Sequence, residues 1–298
     1  MDGLVGVLER LEGRLGPVTQ GPVPLDGGIT NRNYRVCFDG RDCVVRLPGK
    51  GTSLLGISRE AERIANDAAA DLGLAPAVLA ADEDCLVTEY VACEPMDATL
   101  LRAAPEAAGI ALRSFHDSGV PLPVRFWVPE LLDAYAETVQ ARGAVLPENY
   151  APAQSVARRI AEVLPLSDPV PCHDDLLPAN LLSVDGGEAI MLVDWEYAGM
   201  GHRLFDLGNL AVNCEFDEHA EVRLLAAYFG EQPSAGRRAA LRLMRVMSDA
   251  REAAWGVVQG VVSELDFDFG AYAARHFERL EEATASPGFE EWLGAATA

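Results

Sequence analysis

His173-Asp174-Asp175-Leu176-Leu177-Pro178-Ala179-Asn180, followed after a short interval by Ile190-Met191-Leu192-Val193-Asp194, is the stretch on which the reading of this chain turns. His173, Asp175 and Asn180 form H-x-D-x-x-x-x-N, and the apolar run from Ala189 to Val193 ends on Asp194. Phosphoryl transfer asks little covalent chemistry of a protein. It needs a carboxylate to take the proton of the attacking hydroxyl and hard oxygen ligands for Mg²⁺. The spacing assigns Asp175 as catalytic base and Asn180 and Asp194 as metal ligands. In isolation Asp175 reads equally well as a helix N-cap and Asn180 as a loop residue. The flanks favour the catalytic reading: Leu181-Leu182 and Ile190 to Val193 bracket a turn at Asp185-Gly186-Gly187, as a β-hairpin separating the two ligands requires. Asp174 could compete for the role of base, but the n, n+2 step from His173 and the five-residue step to Asn180 both select Asp175. His173 itself reads as a structural hydrogen-bonding residue.

Working toward the N-terminus, Leu4, Val7, Leu8, Leu11 and Leu15 predict an amphipathic packing helix ending near Gly16-Pro17. Residues 25–36 and 44–47, separated by the Asp39-Gly40 turn, give a three-strand pattern. Gly27 and Gly28 permit close backbone approach, and Thr30, Asn31 and Asn33 add side-chain donors, which suits a loop over triphosphate oxygens. A plain Gly-Gly hairpin turn is the alternative. Arg46 interrupts the apolar run Val44-Val45-x-Leu47, and Glu62 lies on a helix expected over 58–72. A strand cation paired with a helix carboxylate holds phosphates in place, so Arg46 with Glu62 is the expected pair. Strands are expected at 77–80 and 86–91, with a connection near 92–95. Beyond Asp97 helical patterns dominate, at 97–118, 127–143, 151–164, 203–213, 217–230, 235–260 and 270–282. The predicted class is α+β: a two-lobed, kinase-like fold with a small antiparallel β lobe (1–92) and a larger, mainly helical lobe (93–298).

The formal charge of −22 argues against a nucleic-acid partner and fits capture of a small cation. No apolar run reaches membrane-helix length, and Met1-Asp2-Gly3 opens no signal peptide, so a cytoplasmic protein without membrane insertion is expected. Six cysteines at 37, 43, 85, 93, 172 and 214 show no metal spacing and are expected to be reduced thiols.

These segments together resemble the choline and ethanolamine kinases within the larger aminoglycoside-phosphotransferase group, which share the protein-kinase-like fold. The resemblance runs from about residue 22 to 282. It rests on Gly27 to Tyr34, Val44 to Gly49, Arg59-x-x-Glu62-x-x-x-Asn66, His173 to Asn180, Asp194 to Tyr197, Phe205 to Asn209, and Ser263 to Phe269 with Tyr272. It implies ATP and Mg²⁺ as cofactors and assigns the base to Asp175, the metal to Asn180 and Asp194, and the phosphate-side ion pair to Arg46 and Glu62. It also implies a phosphate loop at Gly27, Gly28, Thr30 and Asn31, an adenine segment from Glu89 to Val91, and a structural carboxylate at Asp206 that bonds the catalytic-loop backbone. An aromatic cage of Trp255, Phe267 and Tyr272 with Glu215 on an acidic rim would hold a cationic, hydroxyl-bearing acceptor by cation–π attraction and charge.

One position departs from that pattern. Glu252 stands where the family often has a second tryptophan, three residues before Trp255 and so near the same helix face. There it either faces the acceptor, favouring a primary amine or polyhydroxy substrate, or pairs with Arg251, Arg245 or solvent. The expected activity is phosphorylation of an amino alcohol. Antibiotic phosphorylation and a catalytically silent nucleotide-binding protein are the alternatives. Oligomeric state is not encoded in any motif.

Overall fold

The computed structural model describes residues 2–25, 31–49, 51–184 and 189–296. Helix α1 (Asp2–Leu15) packs Val7 and Leu11 beneath a five-stranded antiparallel sheet. The sheet comprises β1 (Val18–Leu25), β2 (Arg32–Phe38), β3 (Arg41–Leu47), β4 (Val78–Ala81) and β5 (Leu86–Glu89), in the order β1-β2-β3-β5-β4. Val36, Phe38, Cys43, Val45 and Val87 alternate inward along these strands and close its core over α1.

Helix α2 (Arg59–Asp71) is N-capped by Ser58, whose hydroxyl accepts from the Ala61 N–H at 3.3 Å. Although it follows the sheet in sequence, Ala65 and Ala69 pack into the larger core of the C-terminal helices. The Leu192 N–H donates to the carbonyl of Leu74 just beyond it. The two apolar cores are separate clusters, and α2 belongs to the larger one, which carries Glu62 to the junction with the sheet.

A second sheet joins β6 (Glu94–Pro95), β8 (Leu181–Val184) and β9 (Ala189–Leu192). The hairpin read from the apolar flanks forms, with Leu181 opposite Leu192 and Val184 opposite Ala189; its expected turn lies outside the described residues. Strands β7 (Val170–Cys172) and β10 (Gly199–Gly201), unread in the sequence, pair across the base of the catalytic loop.

The helical part comprises α3 (Ala98–Ala103), α4 (Glu106–His116), α5 (Val128–Ala141), α6 (Tyr150–Val163), α7 (Arg203–Asn213), α8 (Glu218–Phe229), α9 (Ala235–Val262), α10 (Phe269–Ala285) and α11 (Pro287–Ala295). The helix expected across 97–118 is two helices. Pro105 has no N–H to continue the first, and Ala104 before it leaves the helical region at φ −139, ψ 68. The terminal α11 is not among the expected helices, although Ser286 caps its N-terminus and Pro287 stands at its first position. Among the described residues, no helix is long and apolar enough to cross a membrane.

Helices α7, α9 and α10 support the site, and glycine sets their spacing. A Cβ at Gly208 would stand 2.7 Å from the backbone carbon of Met244, and one at Gly256 would stand 3.0 Å from Cβ of Ala273. These close crossings bring Asp206 and Asn209 of α7, Arg251 and Glu252 of α9 and Tyr272 of α10 around the catalytic loop.

Candidate active site

The catalytic loop is fixed from behind by Asp206. Its carboxylate accepts from the backbone N–H groups of His173 and Asp174, both at 2.8 Å. His116 closes the arrangement, with Nε2 2.9 Å from Asp206 and Nδ1 2.7 Å from the Tyr228 hydroxyl. Burial pushes the Asp206 carboxyl up, but the hydrogen bond and charge of His116 and the His173 N–H outweigh it and hold it below the usual range. Asn209, one turn further along α7, accepts from the Leu176 N–H at 2.5 Å.

Burial holds His173 below the ordinary histidine range. A neutral ring fits its contacts: Nε2 lies 3.0 Å from the Val193 carbonyl, and Nδ1 accepts from the Asp175 N–H at 3.3 Å. The imidazole thus ties the base-bearing loop to the strand end that carries Asp194, and it packs 4.5 Å from Trp195.

Position separates the two adjacent aspartates. Asp174 is fully buried at φ 65, and burial with the neighbouring Asp206 charge pushes its carboxyl well up, so it carries no accessible base. Asp175 keeps 8 % exposure, beside Asn180. Burial raises its carboxyl, Arg251 pulls it back, and the carboxylates of Glu252 and Asp194 push it further up. Asn180 donates to the Asp175 carbonyl at 2.9 Å, and its own carbonyl accepts from the Val193 N–H at 3.0 Å. Asp194 stands at φ 64, a strained conformation for a residue with a Cβ, which turns it out of β9 into the cleft. Asn180 and Asp194 both line the cleft and both carry hard oxygens, the donor chemistry a Mg²⁺ ion takes.

Arg46 reaches down from β3 and contacts both Glu62 and Asp194. Glu62 is also gripped by Arg59 at 2.7 Å, and Asn31, buried at the edge of β2, donates to Glu196 at 3.0 Å. Gly27, Gly28 and Thr30 of the expected phosphate loop lie outside the described residues. A cleft of about 330 Å³ between the sheet and the β8–β9 hairpin is lined by Val44, Arg46, Glu89, Val91, Asn180 and Asp194. Within the expected adenine segment, the Glu89 and Tyr90 N–H groups are engaged by Ala77 O and Asp42 O. Among the described residues no backbone or side-chain acceptor engages the Val91 N–H.

The aromatic residues gather beyond the catalytic loop. Trp255 lies 5.3 Å from Tyr272, Phe267 lies 6.0 Å from Tyr272, and Phe269 joins them 5.8 Å from Trp255. Trp255 Nε1 donates to the Tyr197 hydroxyl at 2.7 Å. Glu215, at the end of α7, shares a cavity of about 460 Å³ with Tyr272, Leu177 and three arginines, Arg245, Arg275 and Arg279. That rim is mixed in charge. Glu252 is 2 % exposed and paired: Oε1 accepts from Arg251 at 2.8 Å and Oε2 from the Tyr272 hydroxyl at 2.7 Å.

The family model for the phosphotransferase enzyme family matches residues 22–242. A solved choline/ethanolamine kinase family protein from Mesorhizobium loti is 31% identical, with a TM-score of 0.80 and 98% of each chain covered. The chain belongs to the phosphotransferase enzyme family, in its choline/ethanolamine kinase branch. It is therefore a phosphotransferase with an alcohol group as acceptor. The probable choline kinase 1 of Arabidopsis thaliana is 25% identical over 91% of this chain and 86% of its own length. A structure of LicA in complex with AMP is 25% identical, with a TM-score of 0.75, covering 97% of this chain and 98% of that one. Kinase membership supports nucleotide use by this chain.

Arg251, Asn209, His116 and Tyr197 had no assigned role in the sequence. Asn209 and Tyr197 sit in quoted family segments, which was their available signal. His116 closes an ordinary amphipathic helix, and Arg251 was legible only as a neighbour of Glu252.

Proposed function

We propose that the chain is an ATP- and Mg²⁺-dependent kinase that transfers the γ-phosphoryl group to the hydroxyl of a choline- or ethanolamine-like amino alcohol. The observation that carries this reading is the convergence of Arg46, Asn180 and Asp194 on one cleft, with Asp175 held against Asn180 and Glu62 paired behind Arg46. In this reading residues 1–92 form a nucleotide-binding lobe and 93–298 the catalytic and acceptor-binding lobe. Adenine lies along Glu89 to Val91 with the Val91 N–H as its donor, and the loop of Gly27, Gly28, Thr30 and Asn31 covers the phosphates. Arg46 neutralises phosphate oxygens, and Glu62 holds its guanidinium in place. Asn180 and Asp194 hold Mg²⁺, which when bound neutralises charge on the transferred phosphoryl. Asp175 orients the acceptor hydroxyl and accepts its proton. Trp255, Phe267 and Tyr272 supply π faces for the acceptor cation, with Glu215 on the rim. Six free thiols fit a reducing compartment, supporting the cytoplasm as its location.

The experiment is ADP release by purified protein with Mg-ATP and no acceptor, choline, ethanolamine or an aminoglycoside. Acceptor-dependent release with choline or ethanolamine, abolished by Asp175→Ala, is the expected result. A response to the aminoglycoside alone would replace the amino alcohol with an antibiotic. Mg-ATP binding without any turnover would favour a silent binding protein.

A further inference from the structure

Arg251 is second in size only to Trp195 among the fully buried side chains, 1 % exposed in the interior of α9. A guanidinium so deeply buried is stable only when its charge is met. Two carboxylates meet it: Nη1 lies 2.8 Å from Oε1 of Glu252 and 3.2 Å from Oδ1 of Asp175. The guanidinium also sits 4.4 Å from the ring centroid of Tyr197. Burial alone would lower its proton affinity, but Glu252 and Asp175 outweigh that and fix it as a cation. Glu252 is anchored in turn by the Tyr272 hydroxyl and, at 3.5 Å, by Asn209, whose carbonyl holds the catalytic loop at Leu176.

This division of one cation between two carboxylates has a consequence for the base. A fork-on-fork pair would occupy both oxygens of Asp175. Here Arg251 touches Oδ1, and among the described residues Oδ2 has only a 3.4 Å contact from Asn180. The carboxylate is restrained in rotation, yet one oxygen is left for a hydroxyl proton.

We propose that Arg251 is a positioning residue of the phosphotransfer centre, holding the Asp175 carboxylate toward the acceptor hydroxyl, and that Glu252 acts by holding Arg251 and not by binding the acceptor. The inference rests on the kinase reading above, in which Asp175 meets that hydroxyl. A base displaced by about 1 Å loses on the order of a hundredfold in rate, so a residue that touches no substrate has a measurable effect.

The test compares Arg251→Met/Glu252→Met, Arg251→Lys and Glu252→Gln with the parent, measuring kcat, acceptor KM, Mg-ATP affinity and thermal melting. Replacing both charges by apolar side chains preserves folding where removing one does not. The double variant is expected to bind Mg-ATP within about twofold and to lose kcat about thirtyfold, with acceptor KM within about threefold. Arg251→Lys is expected to return kcat to within about fivefold of the parent. In an Asp175→Ala background the double replacement should cause no further fall. Parent-like kcat in the folded double variant overturns the proposal, as does an unchanged kcat with a raised acceptor KM, which would put Glu252 on the acceptor. If the double variant does not fold, Glu252→Gln decides: a fall in kcat of about fivefold at constant acceptor KM supports the proposal, and the reverse pattern overturns it. If the parent phosphorylates none of the acceptors, the kinase reading fails separately. A crystal structure of a folded variant then judges Arg251 alone, because an Asp175 carboxylate swung away from Asn180 supports positioning and an unmoved one refutes it.

Discussion

Arg46 and Arg251 each bridge two carboxylates of the site, and they are built in opposite ways. Arg46 comes from a strand, Glu62 from a helix and Asp194 from the far hairpin, so that cluster exists only when three separate elements meet. Arg251 and Glu252 are neighbours in one helix, and only Asp175 is brought to them. Asp194 retains 20 % side-chain exposure against 11 % for Asp175, and Arg46 retains 9 % against 2 % for Arg251. The Arg46 cluster is thus the more open of the two and the Arg251 cluster the more deeply packed in advance. The site combines an assembled half with a prepacked half.

The largest effect that sharpens this contrast is on the base itself. Asp175→Ala should reduce kcat by about 10²–10⁴-fold while leaving Mg-ATP affinity within about twofold, measured by steady-state kinetics and nucleotide titration. A loss of nucleotide affinity instead would merge the two halves. On the open side, Asp194→Ala should weaken Mg-ATP binding at least tenfold, roughly the effect of losing one charged contact, with acceptor KM little changed. Equal weakening of both substrates would break the comparison.

Helix supports should matter more on the prepacked side. Gly208→Ala forces α7 from the backbone of Met244 and Arg245, and urea denaturation should show a loss of about 1–3 kcal/mol together with reduced kcat. A variant of parental stability would show that the crossing yields easily.

A pH dependence touches stability alone and leaves the two clusters in place. His202 caps α7 by accepting the Leu204 N–H at Nδ1, which requires an unprotonated nitrogen, and burial lowers its pKa to about 4 from the ordinary 6.5. The unfolded chain therefore binds this proton more readily than the native one. The stabilisation is complete above about pH 6.5 and falls as pH drops toward 4, by at most about 3 kcal/mol. Melting temperature should decline through that window, and His202→Gln should flatten the decline.

Much of the fold was legible because its signals were local. The catalytic loop and hairpin announced themselves through apolar flanks around polar residues, and Arg46 stood out as a charge inside an apolar strand. Glu252 was visible as an oddity, but a carboxylate on a helix gives no sign of whether it faces ligand, solvent or arginine. The helix break at Pro105 was a local signal overridden by the strong flanking periodicity, whereas the β7–β10 pair joins segments too short to carry a pattern.

The sequence by itself determined the phosphotransfer chemistry, since H-x-D-x-x-x-x-N and a distant strand-end aspartate are set by residue type and spacing. Tertiary structure alone decided which partner each charge receives. Asp174 and Asp175 are identical in composition and adjacent in sequence, yet one is sealed beneath the loop and the other keeps 8 % exposure between Arg251 and Asn180. Arg251 and Glu252 could have faced solvent on an isolated helix. Burial against Asp175 and Tyr272 gives them a definite place, because desolvated charges must find their opposites within a few ångströms, and only the packed helices determine which lie that close.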